Sequence, residues 1–220
     1  MLKDKKILLG VTGGIAVYKA VELASRLTKL GAVVKTVMTD NAREFVTPLT
    51  FKSITHQSVS YRTFNEDAPI EHISLADWAD FIVIAPATAN IIGKLANGIA
   101  DDLLSTVLMA AKAKKLIVPA MNVNMYENAI VQENIEKLKE HDFIIMEADS
   151  GRLACGYDGK GRFPDPVEIV DFIKVLANYN QDLKGKRILV SGGASREKID
   201  PMRFISNNST GKMGLALAKS

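Results

Sequence analysis

Short apolar runs alternate with longer amphipathic stretches along the first 178 residues of the chain. The apolar runs predict five strands, at residues 6–11, 33–38, 81–85, 115–120 and 143–147. The amphipathic stretches predict helices over 17–30, 42–55, 88–111, 128–140 and 167–178, with interruptions at Pro48 and Gly98. Residues 56–74 are polar and show no clear period. Strands that alternate with helices are typical of a parallel sheet with helices on its faces.

The pattern begins again near residue 186. Residues 179–185 read as a linker, and KRILVSGG at 186–193 resembles KKILLGVTGG at 5–14 in having a basic pair, an apolar run and small residues. We therefore expect a strand and a glycine turn that open a second α/β domain. The 35 residues from 186 to 220 are too few to bury a core of their own. The expected organisation is a first domain over 1–178 and an incomplete second one over 186–220.

Composition narrows the class of protein. The hydrophobic fraction is 47%, and the net charge of +3 is spread along the chain, which argues against nucleic acid as a partner. No apolar stretch reaches about 18 residues, so neither a membrane span nor a signal peptide is expected. A single cysteine, Cys155, favours a cytoplasmic protein without disulfides, and with only three histidines beside it the spacing predicts no metal site.

The first strand leads into a glycine turn, VTGGIAVYKA at 11–20. Gly13 and Gly14 allow backbone N–H groups at a helix start to bind phosphate, although a tight turn without a ligand is the alternative. The turn lacks both the dinucleotide and the P-loop fingerprints. After the second strand, Asp40 could bind a ribose hydroxyl, and Thr39 a phosphate or polyol. A mononucleotide such as FMN fits these residues better than NAD.

Polar side chains also follow the central strands, where ligand sites of α/β proteins lie. PATAN at 86–90 supplies Thr88 and Asn90, whose alternative role is helix capping. PAMNVNMY at 119–126 supplies Asn122, a neutral amide that could hold a carboxylate due to leave as carbon dioxide. His72 precedes a predicted buried strand, and a structural histidine is the alternative to a catalytic one.

Cys155 lies in the glycine-rich stretch RLACGYDGKGR at 152–162, which could close over a site. Its thiol could act as an acid or as a nucleophile, because a free cysteine has a pKa of about 8.5. No neighbouring base indicates a nucleophilic dyad, and an incidental thiol is the third alternative.

These stretches, in this order and spacing, resemble the homo-oligomeric flavin-containing cysteine decarboxylases over nearly all of residues 5–178. Residues 187–214 resemble the start of phosphopantothenate–cysteine ligase, a pairing typical of bifunctional proteins of coenzyme A biosynthesis. Two departures are Tyr126, where the family motif usually has tryptophan, and Thr88, where serine is commoner. The alternatives are a peptidyl-cysteine decarboxylase of lantibiotic type and a non-catalytic flavin-binding regulatory subunit, and a prenyl-flavin synthase is a more distant one.

The resemblance implies a Rossmann-like, three-layer parallel-sheet flavoprotein followed by the truncated start of a second α/β domain. It also implies FMN, a homo-trimer that can assemble into a dodecamer with its active site at a subunit interface, and 4'-phosphopantothenoylcysteine as substrate. The implied catalytic residues are His72, Asn122 and Cys155, with Met121 and Met125 beside the substrate. The implied FMN contacts are Gly13, Gly14, Ile15, Ala16, Thr39, Pro86, Thr88, Asn90 and Ser105. CTP and Mg²⁺ are implied only for the ligase, with Asn207 and Lys212 in an incomplete site.

Overall fold

The computed structural model describes residues 2–63, 70–152, 158–177 and 185–219. Contacts divide the chain into two units, 1–177 and 178–220. No helix in the described ranges is long and apolar enough to cross a membrane.

The first unit is built on a six-stranded parallel sheet. Its strands are β1 (Lys6–Val11), β2 (Val33–Met38), β3 (Val59–Ser60), β4 (Phe81–Ala87), β5 (Lys114–Pro119) and β6 (Phe143–Ile145). They lie in the order β3-β2-β1-β4-β5-β6. Because the order reverses between β1 and β4, the carboxyl ends of these two strands open the crevice in which such sheets bind ligands.

Helices cover both faces of this sheet. They are α1 (Val17–Lys29), α2 (Asp40–Arg43), α3 (Pro48–Thr55), α4 (Glu71–Trp78), α5 (Ala89–Ala96), α6 (Leu103–Ala110), α7 (Val123–Tyr126), α8 (Ala129–Glu140) and α9 (Pro166–Ala177). One hydrophobic core packs α1, α3 and α9 against the sheet, and includes Leu23, Phe51 and Ile169. A second core, on the other face, packs α4, α5, α6 and α8 and includes Leu104 and Ile135. The three-layer parallel-sheet fold predicted from the sequence is therefore confirmed.

Two parts of the first unit differ from the sequence prediction. The polar region 56–74, for which no element was predicted, contains β3 and the beginning of α4. His72 lies on α4 and precedes the buried strand β4, as predicted. The glycine-rich region forms the antiparallel strands β7 (Asp149–Arg152) and β8 (Asp158–Arg162) on either side of residues 153–157, which lie outside the described ranges. The elements β3, α4, β7 and β8 are all short, and their residues have no periodic apolar pattern from which they could be predicted.

The second unit contains β9 (Arg196–Lys198) paired antiparallel with β10 (Phe204–Ser206), and α10 (Lys212–Lys219). The strand predicted within 186–193 is wrong for this chain, because residues 186–190 have no regular structure. Leu189 is 96% exposed and Ile188 is 58% exposed. No strand in the described ranges lies beside this segment to accept its backbone hydrogen bonds and cover its apolar side chains.

Candidate cofactor and substrate site

Thr12 connects the first two predicted site motifs. It follows β1, is 2% exposed, and its hydroxyl donates to the carbonyl of Pro86 at 2.8 Å. The same hydroxyl oxygen accepts from the backbone N–H of Thr88 at 3.0 Å. The segment after β5 is joined to β4 by a hydrogen bond from the N–H of Ala120 to the carbonyl of Ala87, at 3.0 Å. The segments after β1, β4 and β5 are thus held together at one edge of the sheet.

The glycine turn packs against the segment that follows β2. A Cβ placed on Gly13 would overlap the Cβ of Asn41 and lie 2.7 Å from its carbonyl carbon, so only glycine fits there without a shift. The N–H of Thr39 donates to the carbonyl of Val11 at 3.0 Å. Thr39 caps α2, its hydroxyl accepting from the N–H of Ala42 at 3.3 Å. Thr39 therefore lies at the same edge as the glycine turn.

The remaining predicted contacts of the turn and of PATAN lie nearby. A Cβ on Gly14 would have the Cγ2 of Thr88 as its nearest neighbour, at 3.9 Å. Ile15 is 59% exposed, and Ala16 stands immediately before α1. Thr88 occupies the N-cap position of α5 but makes no side-chain capping bond there, and Asn90 is exposed in the first turn of that helix.

A cavity of about 520 Å³ opens beside Thr39. One wall consists of Thr39, Asp40, Arg43 and Tyr61, and Asp101 and Asp102 lie on the wall contributed by the segment before α6. The wall is rich in charged groups, which is typical of a site for a polar or charged ligand rather than for an apolar one.

Lys94 offsets one of the two negative charges of Asp101 and Asp102. Its ammonium group lies 2.6 Å from the carboxylate of Asp101 and 2.8 Å from that of Asp102. Burial opposes the charge of Lys94, but the hydrogen bonds and charges of the two carboxylates outweigh it, so the pKa of Lys94 is raised. Burial also opposes the charge of Asp102, but the bonds from Lys94 and Ser105 prevail, and the pKa of Asp102 is lowered.

Ser105 holds Asp102 in position on this wall through hydrogen bonds. It is fully buried, and its N–H donates to the carboxylate of Asp102 at 2.8 Å. The N–H of Asp102 donates to the hydroxyl oxygen of Ser105 at 3.1 Å, which completes a capping box at the start of α6. Ser105 thus contacts the cavity residue Asp102, and its own contact with FMN stays a prediction.

Asn122 lies between β5 and the hairpin. It caps α7, and its Oδ1 accepts from the N–H of Asn124 at 2.9 Å, which fixes the orientation of its amide group. The N–H of Met121 donates to the carbonyl of Gly161 in β8 at 2.9 Å. Met125 is 48% exposed one turn further on. The hairpin that carries the glycine-rich sequence is therefore anchored next to Asn122, while Cys155 itself lies outside the described residues.

His72 is not joined to this network by a hydrogen bond within the described ranges. It lies in the first turn of α4, directly after Glu71. The carboxylate of Glu71 accepts a hydrogen bond from the hydroxyl of Ser60 in β3. The Nδ1 of His72 is buried and has no hydrogen-bond partner among the described residues. An unsatisfied buried polar atom indicates a missing partner, such as a ligand or a water molecule.

A flavin mononucleotide fits the residues at this edge. Ile15 offers an exposed apolar surface for a ring, and Thr39 and Thr88 supply hydroxyls for a phosphate or a polyol chain. Thr12, Arg43 and Lys94 were not anticipated from the sequence. A threonine at the end of a buried strand, immediately before two glycines, is a signal by which Thr12 could have been found.

Comparison with known proteins defines the class. The family model described as "Flavoprotein" matches residues 1–178, and the one described as "DNA/pantothenate metabolism flavoprotein C-terminal domain" matches 183–220. The chain belongs to the flavoprotein family. It is 50% identical over 224 residues to the coenzyme A biosynthesis bifunctional protein CoaBC of Bacillus subtilis (strain 168), covering 100% of this chain and 55% of that protein. The chain thus spans about half the length of the curated relatives it matches.

Two solved structures are similar to the first unit. A PPC decarboxylase variant complexed with pantothenoylaminoethenethiol has a TM-score of 0.71 at 29% identity, covering 80% of this chain and 99% of its own. The FMN-dependent cysteine decarboxylase SpaF has a TM-score of 0.65 at 31% identity, covering 73% of this chain and 92% of its own.

Proposed function

We propose that this chain is the decarboxylase part of a bifunctional cytoplasmic protein of coenzyme A biosynthesis. In this proposal it binds FMN and converts 4'-phosphopantothenoylcysteine into 4'-phosphopantetheine and carbon dioxide. The observation that carries the proposal is the hydrogen-bonded chain of site motifs at one sheet edge. It runs from Thr12 to Pro86 and Thr88, from Ala87 to Ala120, and from Met121 to Gly161.

Asn122 is proposed to hold the carboxylate of the substrate. The amide is neutral, so it orients the carboxylate without the ground-state stabilisation that a lysine or arginine would give to a charge that must disappear. The N-cap bond to Asn124 keeps the amide in one orientation. When bound, FMN supplies an acceptor that takes two electrons from the substrate and later returns them.

Cys155 and His72 are proposed to complete the site. Cys155 belongs to the segment between β7 and β8, and β8 is anchored to the backbone of Met121, one residue before Asn122. A thiol delivered beside the substrate can donate the proton that replaces carbon dioxide. His72 brings a buried Nδ1 that has no partner in the described part of the chain. We further propose that a homo-trimer, which can assemble into a dodecamer, completes the active site at its subunit interfaces.

The second unit is proposed to be the beginning of a ligase domain that uses CTP and Mg²⁺. The support is the family match over 183–220 and the relative from Bacillus subtilis. Asn207 is exposed there, and its Oδ1 accepts from the N–H of Ser209 at 2.9 Å. The same match favours a substrate of coenzyme A biosynthesis over a peptide with a C-terminal cysteine, and the retained Asn122 and Cys155 favour catalysis over a regulatory role.

The test measures flavin absorbance of the purified protein and the carbon dioxide released from phosphopantothenoylcysteine and from a peptide ending in cysteine. We expect a yellow protein that decarboxylates the first substrate and not the second. A colourless protein that takes up no FMN would refute the proposal, and release from the peptide alone would identify the alternative enzyme.

The role of Asn122 is tested by Asn122→Asp, which adds a negative charge where the substrate carboxylate is proposed to lie. Turnover should fall at least about 100-fold, because like charges would be brought together at the site. The fold should survive, since aspartate caps helices as well as asparagine does. Asn128→Asp is the matched control, because Asn128 caps α8 by the same bond, from the N–H of Ile130 at 3.0 Å. Equal turnover in both variants would contradict the assignment.

A further inference from the structure

Arg43 stands on the cavity wall with part of its guanidinium group unsatisfied. Its Nε is buried and has no hydrogen-bond partner among the described residues. Its Nη1 lies 3.1 Å from the carboxylate of Asp40, a residue whose side chain is 84% exposed. A guanidinium has five donors in one plane, and buried donors are seldom left without an acceptor. The edge that carries Nε is therefore suited to an acceptor from outside the protein.

Tyr61 holds this guanidinium in place. The Cζ of Arg43 lies 4.1 Å from the centroid of the Tyr61 ring, which is stacking distance for a cation on an aromatic face. The Cζ of Arg62 lies 5.9 Å from the same centroid. Two guanidinium groups thus gather around one ring on the wall of the cavity, and the stacked one is restricted in how it can move.

The positive charges on the cavity lining are both located beside Tyr61, on Arg43 and Arg62. The two carboxylates before α6, Asp101 and Asp102, share the ammonium group of Lys94 at 2.6 and 2.8 Å, which offsets one of their two negative charges. The ion pair with Asp40 is exposed to solvent, and such pairs contribute little. Among the described residues that line the cavity, Arg43 and Arg62 carry the positive charges, and Thr39 adds a hydroxyl.

We propose that Arg43 binds the phosphate monoester of a ligand through its Nε edge. Arginine forms paired charge-assisted bonds to phosphate, and the stacked, partly satisfied group is already oriented for them. This inference rests on the proposed function, which supplies two phosphate monoesters, those of FMN and of the phosphorylated substrate. The position of Arg43 on the same wall as Thr39 favours the phosphate of the cofactor.

The test compares ligands with and without the phosphate. The apoprotein is titrated with FMN and with riboflavin by fluorescence quenching, and KM is measured for phosphopantothenoylcysteine and for pantothenoylcysteine. In Arg43→Gln we expect FMN to bind about 10- to 100-fold more weakly and riboflavin to bind as in the wild type. Arg43→Lys should recover part of the loss. The control is Arg26→Gln, which removes an exposed arginine paired with Glu22 on α1.

The outcomes distinguish the phosphate of FMN from the phosphate of the substrate as the group that Arg43 binds. A rise in KM confined to the phosphorylated substrate, with FMN affinity unchanged, assigns the phosphate to the substrate and keeps the proposal. Equal changes for all four ligands, or none, overturn it and leave Arg43 as part of the cavity wall. If the wild-type protein binds neither flavin, the proposed function is refuted and the inference with it. If the wild-type protein binds FMN and Arg43→Gln binds it equally well, with KM unchanged for both substrates, only the inference is refuted.

Discussion

Thr12, directly after β1, and Thr36, within β2, are both buried threonines, but their hydroxyls have different surroundings. Thr12 donates to the carbonyl of Pro86 and accepts from the N–H of Thr88. Thr36, in β2 and 1% exposed, has an Oγ1 without a hydrogen-bond partner among the described residues. A buried hydroxyl stabilises the fold only where it replaces the bonds it would make with water. The pair therefore separates the effect of burial from the effect of bonding.

We predict that Thr12→Val destabilises the protein and that Thr36→Val does not. Thr12→Val leaves the N–H of Thr88 without its acceptor, which should cost about 1–3 kcal/mol of unfolding free energy and weaken flavin binding. Thr36→Val removes an unsatisfied hydroxyl at similar volume and should change stability by less than about 0.5 kcal/mol, or increase it. Denaturant titration followed by tryptophan fluorescence measures both. Equal losses would show that the bond to Thr88 does not hold the two motifs together.

The sequence could predict single residues where their chemistry is independent of the neighbours. The steric need for glycine at 13 follows from a tight strand-to-helix turn, and the structure supplies the obstacle, Asn41. The bond from Thr12 to Pro86 could not be predicted, because it joins residues 74 positions apart. The same applies to the contact of Arg43 with Tyr61, since stacking depends on how α2 and the segment after β3 meet in space.

At the scale of elements, the β7–β8 hairpin is held against α7 by two glycines. Gly161 has φ +128, and a Cβ there would lie 2.5 Å from the carbonyl oxygen of Met121. A Cβ on Gly159 would lie 2.5 Å from a methyl group of Val123. The close approach lets the N–H of Met121 reach the carbonyl of Gly161. The glycines of this region therefore serve docking on the Asn122 segment, in addition to any role in loop motion.

Gly161→Ala tests this docking, with Gly98→Ala as its control. Gly98 also has positive φ, +69, but a Cβ there would meet nothing within 4 Å. Both variants should lose about 1 kcal/mol or more through backbone strain. Only Gly161→Ala should also displace the hairpin from Met121 and lower kcat about 10-fold or more, because small shifts of positioning groups are costly. Steady-state carbon dioxide release measures this. Equal kcat in the two variants would show that docking of the hairpin on Met121 does not affect catalysis.

Elements were predictable from sequence in proportion to their length and apolar content. All five predicted strands of the first unit are present, and α1 ends as expected, with Gly31 at φ +85. The two-residue strand β3 and the helix α4 were missed because neither has a strong amphipathic period. The apolar run near residue 188 was predicted to be a strand but has no regular structure. An apolar run forms a strand only where a neighbouring strand pairs with it.

At the scale of the molecule, the hydrophobic core belongs to the first unit. Among the described residues, every buried hydrophobic side chain lies between Leu2 and Ile173. The two core clusters cover both faces of the sheet, and their members lie between Leu2 and Ala177. The second unit instead exposes large apolar side chains, among them Met202 at 89% and Met213 at 80%. Burial of apolar surface is the main favourable term in folding, so the first unit should carry its own stability.

We therefore predict that a chain ending at Ala177 folds and binds flavin as the 220-residue chain does. Its midpoint of thermal unfolding should differ by less than about 3 °C, which corresponds to roughly 1 kcal/mol for a domain of this size. Calorimetry and flavin absorbance measure the two properties. The control ends at Asp165 and so lacks α9, which contributes Ile169, Val170 and Ile173 to the first core cluster. It should unfold at a clearly lower temperature or fail to fold, because that face of the sheet would lose its cover. A large loss of stability in the chain ending at Ala177 would show that the second unit contributes to folding despite its exposed apolar side chains.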